Sequence, residues 1–189
     1  MRHQRSVLFL AAVPLLVAGC GYNSIQRFDE QTAQAKQQIA VQLQRRADLI
    51  PNLVKTVEGF AQQEREVLIG VTQARAGLTC AVQGGDLTQM AAANDQLSSA
   101  LGRLMVTVEA YPQLKSDGTF IRLMDELAGT ENRVAVARTD YNTSVERYNS
   151  YIRQFPQVMT AKVTGAKARE YFQLQGAGAD TAPQVNFDR

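Results

Sequence analysis

Histidine and cysteine are nearly missing from this sequence, in which His3, Cys20 and Cys80 are the only examples. His3 lies in an N-terminal segment with the features of a removable signal, so the mature chain would carry no imidazole for a catalytic triad, a general base or a zinc site. A glycine-rich phosphate loop, a CxxC pair and an HExxH motif are also absent. These absences disfavour the familiar hydrolase mechanisms.

The N-terminal segment resembles a bacterial lipoprotein signal. Arg2 and Arg5 form a charged start, an apolar run follows, and small residues precede Cys20. The run is shorter than the roughly 20 residues that span a bilayer, and it contains Pro14. We therefore predict that residues 1–19 are removed and that Cys20 carries lipid.

The charge of the mature chain gives no sign of a nucleic-acid partner. The formal charge of the whole sequence is +2, but loss of Arg2 and Arg5 with the signal leaves 18 basic against 18 acidic residues. Binding to nucleic acid or through a polybasic surface is therefore disfavoured. Membrane binding would come from the acyl chains, of which two or more give durable anchoring. Because lipidation consumes Cys20, Cys80 is the remaining thiol and no internal disulfide can form.

Apolar residues recur at helical spacing along most of the chain. Long stripes cover residues 23–77, 87–111 and 120–155, and a short further helix is indicated around Met159. Arg46 occupies a position of the first stripe. Strand-rich regions and repeats of about 20 to 50 residues are not evident. The sequence predicts an all-α fold, an antiparallel bundle of three long helices plus a short fourth with coiled-coil-like seams.

The domain organisation follows from these stripes. Residues 20–175 form one helical bundle domain. Residues 176–189 have the composition of a linker, with Val185 and Phe187 spaced as in a short extended strip. We predict a flexible or extended C-terminal tail. Asn94, inside the second stripe, is expected to make a register-setting polar contact.

A distinctive block lies in the first helix: Gln44-Arg45-Arg46-Ala47-Asp48-Leu49-Ile50-Pro51-Asn52-Leu53-Val54. Further short motifs follow: Ala74-Arg75, Glu109-Ala110-Tyr111-Pro112-Gln113-Leu114-Lys115, Thr130-Glu131-Asn132-Arg133, Tyr141-Asn142, Tyr148-Asn149 and Phe155-Pro156. Together they resemble the LemA family over essentially the whole mature chain. The resemblance implies a membrane-associated helical bundle outside the cytoplasm, with no established enzymatic activity. We expect a lipid-modified Cys20 here in place of the usual N-terminal transmembrane anchor.

The polar residues of the first block suggest a buried or semi-buried site. Pro51 inside a helix removes a hydrogen-bond donor, which predicts a kink and leaves the Ala47 carbonyl in need of another partner. Arg45, Asp48 and Asn52 share one stripe of the same helix. These groups can satisfy the kink or bond a neighbouring helix.

Two tyrosine-asparagine pairs lie seven residues apart, which places the tyrosines on one helix face and the asparagines on the adjacent one. We hypothesise that they join the first block in a polar layer of the bundle. The candidate members are Arg45, Arg46, Asp48, Asn52, Glu109, Glu131, Tyr141, Asn142, Tyr148 and Asn149. Two interpretations stay open: a structural network that sets helix register, or a site for a ligand or partner.

The function favoured by these patterns is non-catalytic. We expect a lipid-anchored scaffold or adaptor of the bacterial cell envelope, which presents a bundle face to an envelope membrane protein or to copies of itself. A membrane-organising or lipid-binding protein is the alternative, and an enzyme of unknown type is a distant third. No cofactor, metal or nucleic acid is expected. Gly21, in place of aspartate after the lipidated cysteine, favours the outer membrane, facing the periplasm, in a diderm host.

Overall fold

A computed structural model describes the backbone of residues 2–61 and 63–172, and the side chains of residues 21–61 and 63–172. Every regular element in these ranges is a helix, which confirms the all-α class. The helices are α1 (Arg2–Glu58), α2 (Arg65–Gly84), α3 (Leu87–Val108), α4 (Pro112–Lys115), α5 (Gly118–Arg153) and α6 (Gln157–Thr164). The predicted tail, residues 176–189, lies outside the described residues.

The prediction of one continuous helix over residues 23–77 was wrong. α1 ends at Glu58, and α2 begins at Arg65. Gly59, a poor helix former, follows α1 directly. In the intervening turn Ala61 is buried and donates its N–H to the Val57 carbonyl at 2.8 Å. Because this buried alanine keeps the apolar spacing, periodicity alone did not reveal the break. The break adds a fifth helix to the four predicted, and the four-residue α4 is the sixth.

The structure divides into two compact units. Unit 1 contains the chain up to Gln42 together with residues 132–171, and unit 2 contains residues 43–131 and Phe172. α1 and α5 therefore each contribute residues to both units. Each unit has its own buried contacts.

The interior of unit 1 joins the early part of α1 to the end of α5 and to α6. Its buried members are Ile25, Tyr148, Ile152 and Ala161, which we call the unit 1 core. Phe28 and Tyr151 pack against it with their ring centroids 5.0 Å apart. Aromatic and aliphatic side chains thus hold α6 to this unit.

The interior of unit 2 includes the packed pair α2 and α3. Gly85, with a positive φ of 71°, ends α2 in the left-handed conformation that glycine adopts without strain. Asp86 then caps α3, since its side chain accepts a hydrogen bond from the Gln89 N–H at 2.8 Å. The apolar stripe of α3 is buried as predicted: Met90, Leu97, Leu101, Leu104 and Val108.

Candidate functional site

The candidate site of unit 2 is built around Arg46, which α1 carries into the interior. The Arg46 side chain is 6% exposed, whereas 55% of the neighbouring Arg45 side chain is exposed. The Arg46 guanidinium donates to Asn94 Oδ1 and, at 3.1 Å, to Ser98 Oγ. It also forms an ion pair with Glu131 on α5. Since Asn94 and Ser98 are one turn apart on α3, one guanidinium joins three helices.

The environment of this guanidinium is asymmetric. On one side it meets Asn94, which is buried and confirms the predicted polar contact inside the helical stripe. On the other side 43% of the Glu131 side chain remains exposed, although the carboxylate oxygen that meets Arg46 is itself buried. A buried charge is tolerated when it is paired and hydrogen-bonded. Sequence reasoning missed Ser98, although a small polar residue one turn from Asn94 was an available signal.

Four other predicted residues of unit 2 are exposed: Arg45, Asp48, Asn52 and Glu109. Three of them have other side-chain partners: Arg45 with Glu126 at 3.1 Å, Asp48 with Gln44 at 2.8 Å, and Glu109 with Lys115 at 2.7 Å. Exposed pairs of this kind contribute little to stability. Among the predicted residues of unit 2, the structure brings Arg46 and Glu131 into contact.

Pro51 frees the carbonyl of Ala47, and the structure gives this carbonyl a specific hydrogen-bond donor. α1 continues through Pro51, and the carbonyl of the buried Ala47 accepts a hydrogen bond from Arg75 Nε on α2 at 3.1 Å. The expectation that this carbonyl needs a second donor is therefore confirmed. The sequence motif contained Arg75, but its role was not predicted. This bond fixes α2 to α1 at the point where the helical ladder of α1 is interrupted.

The Arg75 bond can be tested with a double-mutant cycle. We expect Arg75→Met to lower the free energy of unfolding by about 1.5 kcal/mol, because a buried carbonyl loses a charged donor while the apolar stem is kept. In a Pro51→Ala background the new N–H can donate to Ala47, so the same change should cost less than about 0.5 kcal/mol. Urea unfolding of the four proteins measures the difference, and equal costs in both backgrounds would contradict the assignment.

The candidate site of unit 1 fastens the segment after α6. Asn149, buried on α5, donates through Nδ2 to the Arg169 carbonyl at 2.9 Å, and the Arg169 N–H donates to Asn149 Oδ1 at 2.8 Å. The Tyr141 hydroxyl donates to the Glu170 carbonyl at 2.9 Å. The Arg169 guanidinium binds both carboxylate oxygens of Asp29 on α1 at 2.8 to 3.0 Å. These bonds join α1, α5 and residues 169–170.

The two tyrosines of the repeated pair are both buried, as expected from their seven-residue spacing. Burial raises the pKa of the Tyr141 hydroxyl, an effect that the nearby Arg169 charge opposes. Burial and the Asp29 charge raise the pKa of Tyr148. The hydrogen bond to Asp29 raises the pKa of the Arg169 guanidinium. At neutral pH the phenols are therefore uncharged, as suits a structural role.

The predicted polar layer thus divides between two units. Arg46 and Glu131 belong to unit 2, while Tyr141, Tyr148 and Asn149 belong to unit 1. Asn142 is half-buried on α5 in unit 1. The Arg46 contacts of unit 2 and the Asn149 and Tyr141 contacts of unit 1 involve different partners. A single layer that contains all the predicted residues stays a prediction.

Neither cluster has the composition of a metal centre. Among the side chains that the structure describes, no three from His, Cys, Asp and Glu are grouped so as to hold a metal ion. Cys80 is free and exposed.

Among the residues whose side chains the structure describes, no helix combines the length and the apolar character needed to cross a bilayer.

Unit 2 also carries an open groove, lined by the C-terminal part of α1 and the N-terminal half of α2, with a volume of about 840 Å³. Val54, Leu68 and Ile69 supply its apolar lining, and Ile69 is exposed. Glu58 and Arg65 add opposite charges. Apolar side chains in a concave, charge-flanked surface are typical of binding grooves.

These features define an all-helical protein whose helices are joined by buried polar contacts. Residues 35–187 match the LemA family, and the chain belongs to that family. It is 31% identical over 180 residues to magnetosome protein MamQ 2 of Paramagnetospirillum magneticum, an alignment that covers 83% of this chain and 66% of the relative. The chain thus spans just under two thirds of the length of that protein.

Two further relatives also align with most of the chain. Magnetosome protein MamQ of Magnetospirillum gryphiswaldense is 30% identical over 190 residues, covering 87% of this chain and 70% of the relative. Protein LemA of Metamycoplasma hominis is 25% identical over 133 residues, covering 70% of this chain and 60% of the relative. The similarity therefore extends through most of the helical region.

Proposed function

We propose that this chain is a lipid-anchored, non-catalytic scaffold of the bacterial cell envelope. Acyl chains on Cys20 would hold it at the membrane, in a diderm host at the periplasmic face of the outer membrane. The helices would form an antiparallel bundle, and the groove of unit 2 would receive an apolar segment of an envelope protein. Membership of the LemA family and the lipoprotein-like N-terminus support this proposal.

The groove is the observation that carries the adaptor role. Its lining comes from α1 and α2, the two helices that the Arg75 to Ala47 hydrogen bond connects. A groove held in shape before binding loses less conformational entropy when it receives a partner. The exposed Ile69 offers an apolar contact, while Glu58 and Arg65 offer polar contacts that fix the orientation of the bound segment.

Photocrosslinking in intact cells tests the adaptor role. A photoreactive residue at Ile69 should capture one recurrent envelope protein that mass spectrometry identifies, whereas the same residue at Val106, exposed on α3, should not. Val54→Glu should abolish the capture from Ile69, because it places a charge among apolar contacts. Val106→Glu is the matched control and should leave the capture unchanged.

Three results would count against the adaptor role. Links only between copies of the chain would show self-assembly at the groove. Equal capture from Ile69 and Val106 would show a nonspecific surface. Capture that survives Val54→Glu would place the partner outside the groove.

A further inference from the structure

Helix α6 has an apolar face that its own unit does not cover. Ala161 packs in the unit 1 core. At about 100° per residue, Met159 and Val163 lie about 160° from Ala161 around the helix. They are 60% and 88% exposed. The face of α6 opposite the core is therefore apolar, where a surface helix normally carries polar residues.

A third exposed apolar side chain lies close to these two in the sequence. Phe155 lies just before α6, four residues from Met159, and is 84% exposed. We call Phe155, Met159 and Val163 the α6 patch. Single exposed apolar residues are common on proteins, whereas Met159 and Val163, one turn apart on α6, form a continuous apolar surface of the kind that contacts something apolar.

The sequence neighbour of the proposed lipidation site contacts α6. Gly21 is buried, and a Cβ atom built on it would lie 3.4 Å from Thr160 Oγ1 and 3.8 Å from Gln157 Cγ. Gly21 directly follows Cys20, and consecutive Cα atoms are about 3.8 Å apart. Because a helix with its side chains is about 10 Å wide, the α6 patch lies roughly one helix diameter from the point where the acyl chains would begin.

The segment that carries the patch has charges of one sign. Between Glu146 and Glu170 the sequence contains no aspartate or glutamate. Arg153, Lys162 and Lys167 are exposed in this stretch. Apolar side chains flanked by basic residues suit an interface with anionic lipid headgroups. A second copy is a poorer occupant, since it would place identical cations against these.

We propose that the α6 patch rests in the boundary between headgroups and acyl chains of the bilayer that holds the lipid on Cys20. The inference rests on the proposed lipid anchor. Arg153 and Lys162 then contact anionic headgroups, and the patch supplies a second attachment besides the acyl chains. The two attachments fix the orientation of unit 1 on the membrane, because a lipid on one residue alone leaves the protein free to tilt.

A fluorophore on the patch tests this contact in the full acylated protein. Cys80→Ser removes the other thiol, and Val163→Cys carries an environment-sensitive dye. The protein is placed on vesicles of phosphatidylcholine with phosphatidylglycerol. We expect a blue shift, quenching by spin-labelled phospholipid, and loss of quenching by aqueous iodide. The same dye at Val136→Cys, exposed on α5 of unit 1, should stay accessible to iodide.

Different outcomes distinguish failure of the lipid anchor from failure of the membrane contact of the α6 patch. Flotation of the protein with the vesicles tests the anchor: a protein that does not float overturns both the proposed function and this inference. A protein that floats while the dyes at Val163 and Val136 respond alike overturns the inference alone. Shielding of the Val163 dye without vesicles, increasing with protein concentration, assigns the patch to a second copy and also overturns it. Met159→Cys provides an independent label position.

Discussion

Glu131→Ala should lower the free energy of unfolding by about 3 kcal/mol, because it leaves the buried Arg46 guanidinium without its carboxylate partner. This value is at the low end for a broken buried pair, since part of Glu131 is exposed and water can replace some of the lost interaction. Glu126→Ala, which breaks the exposed pair with Arg45, is the matched control. Its expected cost is less than about 0.5 kcal/mol.

Urea unfolding followed by circular dichroism measures both changes. The double variant Arg46→Met/Glu131→Ala should recover part of the lost stability, because an apolar side chain of similar length replaces the unpaired charge while the buried Asn94 loses its donor. If Glu131→Ala costs no more than Glu126→Ala, the ion pair does not stabilise the contact between α1 and α5. If the double variant is no more stable than Glu131→Ala, the loss has a source other than the buried charge.

The double variant, where it folds, also separates the two interpretations of the polar cluster. Photocrosslinking from Ile69 in this variant reports on binding without the complication of unfolding. Retained capture would identify the Arg46 cluster as a structural network, and lost capture in a folded protein would place it in the partner site. Arg46 is buried and Glu131 reaches solvent, so a partner would contact the cluster through Glu131.

The all-α class and the burial of Arg46 follow from one property of the sequence. Apolar spacing at three and four residues reports which side of a helix is covered, and Arg46 occupies such a position between Ile39 and Ile50. The same property failed at residues 59–64, because the buried Ala61 keeps the spacing through a turn. Apolar periodicity reports which residues are buried, and residues stay buried between α1 and α2 although the helical hydrogen bonds stop there.

The partners of the site residues were harder to predict than the residues themselves. Asn149 and Tyr141 bind main-chain groups of Arg169 and Glu170. Main-chain groups are common to all residue types, so the sequence does not show which of them will be a partner. The Ala47 carbonyl was predictable as a group in need of a donor because Pro51 removes one. The identity of that donor depended on how α2 packs on α1, which a single sequence does not specify.

Asn149→Ala should release the segment after α6. The change removes both hydrogen bonds to the Arg169 main chain and should lower the free energy of opening this segment by about 2 kcal/mol, since water can solvate the freed groups only in the opened form. Trypsin cleavage after Lys167 and Arg169 should then be about thirtyfold faster when opening limits access. Hydrogen exchange of the Arg169 amide should accelerate by a similar factor.

Asn132→Ala is the matched control for this prediction, since Asn132 is exposed on the same helix of unit 1. It should leave cleavage after Lys167 and Arg169 unchanged. Asn149→Asp keeps an acceptor for the Arg169 N–H but loses the donor to its carbonyl, so it should lie between wild type and Asn149→Ala. If Asn149→Ala behaves like Asn132→Ala, the Asp29 to Arg169 ion pair and the Tyr141 bond hold the segment without Asn149. An accelerated cleavage would instead show that one buried amide on α5 determines how firmly the chain after α6 is held.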